Sequence, residues 1–414
     1  WRLEINQSPI SNLQSPIKMN FQAGYAQAVI TPPLERPVFL AGFGQNRRAQ
    51  VVHDALYVRG LALVAGQTQL VLLGLDLLGY GRERCQAVEQ RLRQTHPNVR
   101  LLIACTHTHH GPDTIGLWGP DEATSGVDSV YMDWLAGQIE ATARGALANV
   151  RGVELRQTAV SVPHLVKNSR DPHIVDEELT CLQFSDPDSG AAVANCLIFP
   201  CHPEVLWDDN PAITSDYMAA MRREVEAATG APCLGLVGAL GGMMTPDVVN
   251  HSFAEAEAMG RTLARAALDS WAGVATTAVS HFSYRRHEFA VPLENPLFEM
   301  ARAVGLLQTA VRADGTILTE ASLLRLNGVW LLGVPGELLP KLGLAYRQMM
   351  REAGGENTAV VGLANDELGY ILPAEDFVPP INYLEPGSSY EESMSVSPQL
   401  GPMLTAALRD LMVM

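Results

Sequence analysis

Short apolar runs, rich in Leu, Val and Ile and ending abruptly in polar residues, recur along this chain. Between them lie stretches with the 3.6-residue rhythm of amphipathic helices. A strand buried on both faces reads as such a run, and strands alternating with helices favour a layered α/β fold. Residues 58–66 and 69–78 read as a strand pair about a turn at Gly66-Gln67, 82–96 as a helix and 100–106 as a buried strand. Helical rhythm returns over 129–148, 216–229, 253–271, 295–312, 338–352 and 399–412. Further strands are predicted over 192–199, 232–240, 278–290, 328–334 and 358–364. The expected architecture is α/β, a layered mixed-sheet domain flanked by helices.

No internal repeat, low-complexity tract or linker cuts the sequence, so residues 19–414 are expected to form a single domain with elaborations. Residues 1–18 lack the basic-then-apolar layout of a secretory leader and are expected to be an N-terminal extension. The segment 371–398, rich in Pro, Gly, Ser and Tyr, is expected to be a long ordered loop, a length more often functional than idle.

The formal net charge of -16 repels phosphate backbones, and Lys and Arg cluster only in short pairs such as Arg47-Arg48. Nucleic acid is therefore not an expected partner. No apolar run of about 18 residues escapes a charge or a proline, so no membrane span is expected. Cys85, Cys105, Cys181, Cys196, Cys201 and Cys233 form no CxxC and mostly sit inside apolar runs. They read as small buried hydrophobes in a reducing, cytoplasmic compartment, with a secreted or periplasmic location open if a leader was removed.

Polar groups delivered by the end of a buried strand are where such sheets place chemistry. LLIACTHTHHGPD (101–113) ends a strand in His107, His109 and His110. Residues i and i+2 of an extended segment share a face, so His107 and His109 can address one metal. The competing account is a His-rich surface loop. His202, in CLIFPCHPEVLWDDN (196–210), follows a second strand; taken alone, such a histidine is more often structural than a ligand. The acids Glu204, Asp208 and Asp209 nearby read as a solvated cluster. Glu337, in VWLLGVPGELLPKLG (329–343), sits at a strand-to-helix turn, where it can favour the helix dipole or supply a hard oxygen to zinc. Tyr370, in GLANDELGYILPAEDF (362–377), reads by itself as a packed tyrosine with a solvated hydroxyl.

Taken in order, AGYAQAVITPP and AGFG (23–44), CTHTHHGP (105–112), KNSRDP (167–172), CHPEVL (201–206), GVPGELLPKLG (333–343) and YEESMS (390–395) resemble the catalytic domain of neutral and alkaline ceramidases and their bacterial relatives. The resemblance runs from about residue 22 to the C-terminus, and THTH and VPGE are its most specific parts. It implies a neutral-ceramidase-like α/β domain with one zinc per chain, held by His107, His202, Glu337 and Tyr370. It makes His109 a near-metal hydrogen-bonding or acid/base residue and Arg170 the arginine that meets the substrate carbonyl. Tyr390 becomes a second tyrosine facing the reaction centre, with Tyr383 competing for that role.

The chain departs from the family at Gly241-Gly242-Met243-Met244-Thr245-Pro246, where ceramidases carry Gly-Asp-x-Ser/Asn-Pro. The Asp is missing and Thr245 takes the Ser/Asn place, as a candidate nucleophilic or water-orienting residue. The family's C-terminal immunoglobulin-like domain has no counterpart in the sequence. The expected activity is zinc-dependent hydrolysis of a linear, N-acyl or ceramide-like amide through a metal-activated water, on a small or lipid-like acyl substrate. An esterase, lactonase or polyester hydrolase using the same site stays open, as does a non-catalytic relative that binds a metal or lipid.

Overall fold

The computed structural model describes residues 19–413; the expected extension 1–18 lies outside the described residues. One topology is used three times. The first unit runs through strands Phe21–Val29, Tyr57–Ala65 and Thr68–Leu75, helix Arg82–Arg93, strand Val99–Cys105 and helix Ser129–Ala148. The second repeats that order with Glu154–Ser161, Glu178–Ser185, Ala192–Phe199, helix Tyr217–Thr229, strand Cys233–Val237 and helix Phe253–Trp271. The third does so with Phe282–Pro292, Thr316–Leu326, Val329–Gly333, helix Pro340–Glu352, strand Asn357–Val361 and helix Leu400–Val413. In each sheet the three leading strands are antiparallel neighbours and the last lies parallel to the third. A parallel partner cannot be reached through a hairpin, so a helix carries each crossover. No repeat is visible in the sequence because the topology asks only for apolar pattern, which many residue choices satisfy.

The three sheets share a core. Leu61 and Leu102 from the first, Leu182 and Leu234 from the second, and Leu324 and Leu331 from the third pack into one cluster. The alternation of strand side chains sets this up: along Thr68–Leu75, Leu70 and Leu72 point into the shared core, while Val71 and Leu73 join Val88, Leu92 and Ile139 of the covering helices. Helices Tyr217–Thr229 and Phe253–Trp271 touch because of Gly260, where a Cβ would lie 2.5 Å from the Tyr217 carbonyl oxygen. All six cysteines are buried free thiols. Among the described residues no helix is long and apolar enough to cross a membrane.

Two readings needed adjustment. The helix expected over 295–312 is only Pro296–Ala303, capped by Asn295, which accepts from the amides of Leu297 and Phe298; it stops ahead of Gly305, whose φ is +83°. The expected loop 371–398 contains a short helix, Tyr390–Ser393. Strands Glu154–Ser161, Glu178–Ser185 and Thr316–Leu326 were not anticipated; the first has a half-exposed, polar face that conceals its period.

The parallel strands end close together, and their backbones cross from sheet to sheet there. The Gly362 amide donates to the Val237 carbonyl at 3.0 Å, and the Asn365 amide to that of Ile103 at 2.7 Å. Buried ion pairs tie the same junctions. Arg222 of the second unit grips Asp76 of the first at 2.7 and 2.9 Å, and Arg347 of the third holds Asp176 at 2.7 Å. Replacing Arg222 by Met would strand a fully buried carboxylate, at an expected cost of about 3–5 kcal/mol. In urea denaturation, the double change Arg222→Met with Asp76→Leu should recover part of that loss, because no unpaired charge remains.

Candidate metal centre

The loops leaving these strand ends supply the candidate residues. His107 comes two residues after Cys105, but strand alternation does not aim it. The strand ends at Cys105, and His107 adopts a left-handed φ of +62°. This turn brings the His107 and His109 rings to 5.0 Å between centroids, and His202 joins at 5.0 Å from His107 and 5.7 Å from His109. One ring nitrogen from each of the three lies within 4.8 Å of the others. Glu337 brings Oε2 to 3.1 Å from His202 Nε2 and 3.4 Å from His107 Nε2. His107, His202 and Glu337 are all buried.

The outer nitrogens show what the inner ones can do. His107 Nδ1 lies 2.8 Å from the Leu78 carbonyl oxygen and His202 Nδ1 lies 3.0 Å from that of Met244. A carbonyl only accepts, so each Nδ1 carries a hydrogen and Nε2 is the nitrogen each ring turns to the centre. There it donates to the Glu337 carboxylate when protonated and offers a lone pair when a metal ion takes the proton's place, so positive charge belongs between the three groups. For the His202 imidazole, burial opposes protonation, yet Glu204 and Glu337 outweigh it and raise its pKa to about 9. Burial likewise opposes ionisation of Glu337, but His107 and His202 hold its carboxyl far below the usual range. Two imidazole nitrogens and one carboxylate oxygen are a donor set that suits zinc, so the residues fit the ion that the sequence led us to expect.

His109 sits at the same place but is held differently. Its Nδ1 is 3.2 Å from Glu204 Oε2, within ion-pair reach, although the two are not aligned as a hydrogen bond. Phe43 meets its ring edge-on at 4.7 Å. Gly42, at φ +81°, lets the backbone press against it, and a Cβ there would come within 2.6 Å of His109 Cγ. Glu204 escaped the sequence reading. Its neighbourhood reads as a cluster of solvated acids, yet it is 1 % exposed and burial raises its pKa. Nothing in the local sequence sets it apart from Asp208 and Asp209.

The remaining candidates fall into two groups. Tyr370 and Tyr390 reach the centre, with rings 6.0 Å apart, and both line a cavity of about 160 Å³ that also touches His107, His109 and Glu337. The Tyr370 hydroxyl donates to Met243 Sδ at 3.4 Å. Arg170, Thr245 and Tyr383 do not line that cavity. Arg170 instead clamps the helix that carries Tyr390, through Glu391 and Glu392 at 2.7 Å each and the Asp376 carbonyl at 3.0 Å. Thr245 lies in a short strand paired with Val166–Asn168, beside Glu204, whose charged form its hydroxyl favours. Glu367, a further cavity-lining acid, was not anticipated; burial and then Glu337 push its pKa well up. The rest of the lining mixes apolar side chains such as Phe43, Leu117, Trp118, Phe298 and Leu306 with the polar Glu83, Arg84, Gln308 and Asp366.

No family model matches the chain, and no curated protein does. Among solved structures, the neutral ceramidase from Pseudomonas aeruginosa superposes with a TM-score of 0.78 at 18% identity, covering 95% of this chain and 74% of that one. A ceramidase complexed with C2 gives 0.78 at 17% identity, over 95% of this chain and 75% of the other. The chain therefore has a neutral-ceramidase-like mixed α/β fold. Placing a methyl group at position 42 should disturb the centre by pressing on the His109 ring, 2.6 Å from Cγ and 2.8 Å from Nδ1. Gly42→Ala is expected to cost about 1–3 kcal/mol in chemical denaturation, from backbone strain at positive φ together with displacement of His109.

Proposed function

We propose that this chain is a metal-dependent hydrolase that cleaves a linear acyl amide, on a fold it has in common with neutral ceramidases. The observation that carries the reading is the convergence of His107 Nε2, His202 Nε2 and Glu337 Oε2 beside a cavity with apolar walls on one part of its lining. His107, His202 and Glu337 would hold one zinc ion. Bound there, zinc supplies a water acidified to a pKa of about 7 and a polarised carbonyl.

The chain's own groups do the rest. Tyr390 is 45 % exposed at the cavity, yet burial of its hydroxyl and then the neighbouring charges of Glu337 and Glu204 push its pKa up to about 12. It therefore stays a proton donor at neutral pH, placed to stabilise the oxyanion of a tetrahedral intermediate. Arg170 acts behind it by fixing the Tyr390–Ser393 helix, in place of the direct carbonyl contact expected from the sequence. The apolar walls exclude water and receive the acyl chain. The cavity is open to solvent where Tyr390 is part-exposed, so a longer lipid-like chain would extend through that mouth.

Ester cleavage would use the same groups, and a panel of matched N-acyl and O-acyl substrates separates the two. The expected outcome is at least about a tenfold preference in kcat/KM for the amide, worth about 1.4 kcal/mol in the transition state. Purified protein reconstituted with zinc should hold one ion per chain, and chelation or Glu337→Gln should lower kcat/KM by more than about a hundredfold. Absence of stoichiometric metal after reconstitution would sink the proposal. Unchanged biological function in His107→Ala and Glu337→Ala would favour a non-catalytic binding protein instead.

A further inference from the structure

We propose that Glu367 is a specificity-determining residue of the cavity, selecting amides whose amine portion carries a hydroxyl group. The inference rests on the hydrolase reading above and names the leaving group for that site.

Three observations carry it. First, Glu367 lines the cavity with one carboxyl oxygen engaged and the other open. Oε1 accepts from the Gly369 amide at 3.0 Å, whereas Oε2 is buried and finds no hydrogen-bond partner among the described residues. A buried polar oxygen without a partner is costly, so a substrate group that pairs with it is favoured over one that cannot. Second, neighbouring polar side chains of the lining are already engaged by the protein. Asp366 accepts from the Arg82 and Glu367 amides through Oδ1 and from the Thr319 hydroxyl through Oδ2. Arg84 donates to Gln308 at 3.1 Å, and Glu83 accepts from the Ala310 amide at 3.1 Å. Third, the stem of Glu367 is pressed against backbone. A Cβ at Gly79 would come within 2.8 Å of its Cγ, and the preceding residue, Leu78, supplies the carbonyl that holds His107 Nδ1. The open carboxyl is thus anchored to the segment that orients the candidate centre.

The apolar walls suit the acyl chain, which leaves the amine portion for the polar side chains. A hydroxyl donates to a carboxylate and accepts from a neutral carboxylic acid, so it pairs with Glu367 in either state. An ammonium group suits only the ionised form, and a carboxylate only the neutral one.

The test is a series of hexanoyl amides whose amine portion ends in hydroxyl, methyl or ammonium, each on spacers of two to four carbons. With the zinc-reconstituted full chain, the best hydroxyl amide should exceed its methyl counterpart at least about thirtyfold in kcat/KM, mainly through KM. In Glu367→Leu that ratio should fall to within about threefold. Glu367→Gln keeps hydrogen bonding but not charge, and should retain at least about tenfold. Folding of both variants is checked by circular dichroism. Should Glu367→Leu fold poorly, the native chain still decides: a ratio near one, or preference for the ammonium amide, overturns the assignment. An unchanged ratio in Glu367→Leu overturns it too, as does a loss in Glu367→Gln as complete as in Glu367→Leu. Each of these results leaves the hydrolase reading intact, because amides are still cleaved. If no amide is cleaved with zinc bound, that reading fails, and the same ratios are then expected in calorimetric affinities for the same compounds.

Discussion

Two imidazole nitrogens and a carboxylate oxygen are brought together in a buried place, and much of the rest of the fold serves that crowding. Such an arrangement holds only with positive charge between its members, whether a proton or a metal ion. Carbonyl oxygens behind the rings and closely packed strand ends beneath them prevent the side chains from relaxing apart. The interaction network is therefore organised from the outside inward: backbone fixes tautomer, tautomer fixes lone pair, and lone pairs define the site.

Legibility from sequence followed burial. The doubly buried strands, such as 192–199 and 329–333, announced themselves as apolar runs, and the helices over 129–148 and 253–271 by their period. The strand Glu154–Ser161 did not, because half-exposed polar positions mask its alternation. His107, His202 and Glu337 were legible as polar punctuation after such runs. Glu204 was not, since nothing in a local window distinguishes an acid that points inward from one that points to solvent; only tertiary packing decides it. Arg170 illustrates the opposite case. Its proximity in sequence to a recognisable motif suggested contact with substrate, but two acids on a distant segment, Glu391 and Glu392, claim its guanidinium.

The Met243 position shows how a loop residue can hold a neighbour. Its thioether gives the Tyr370 hydroxyl a soft acceptor at 3.4 Å beside the centre. Folds alike at 17–18% identity are compatible with different loop residues, because a strand framework tolerates exchange of what its loops present.

The threefold use of one topology has a consequence for assembly. His107 leaves the first unit, His202 the second and Glu337 the third, so the candidate ligands meet only when all three units are in place. An ion held as proposed would release its binding energy only once all three had docked, and would act as a keystone between layers rather than as cargo within one. Removal of the ion would accordingly loosen the junctions among the sheets before it melted any sheet, and a chain halted after two of the three units would have a hydrophobic interior but nothing to lock it.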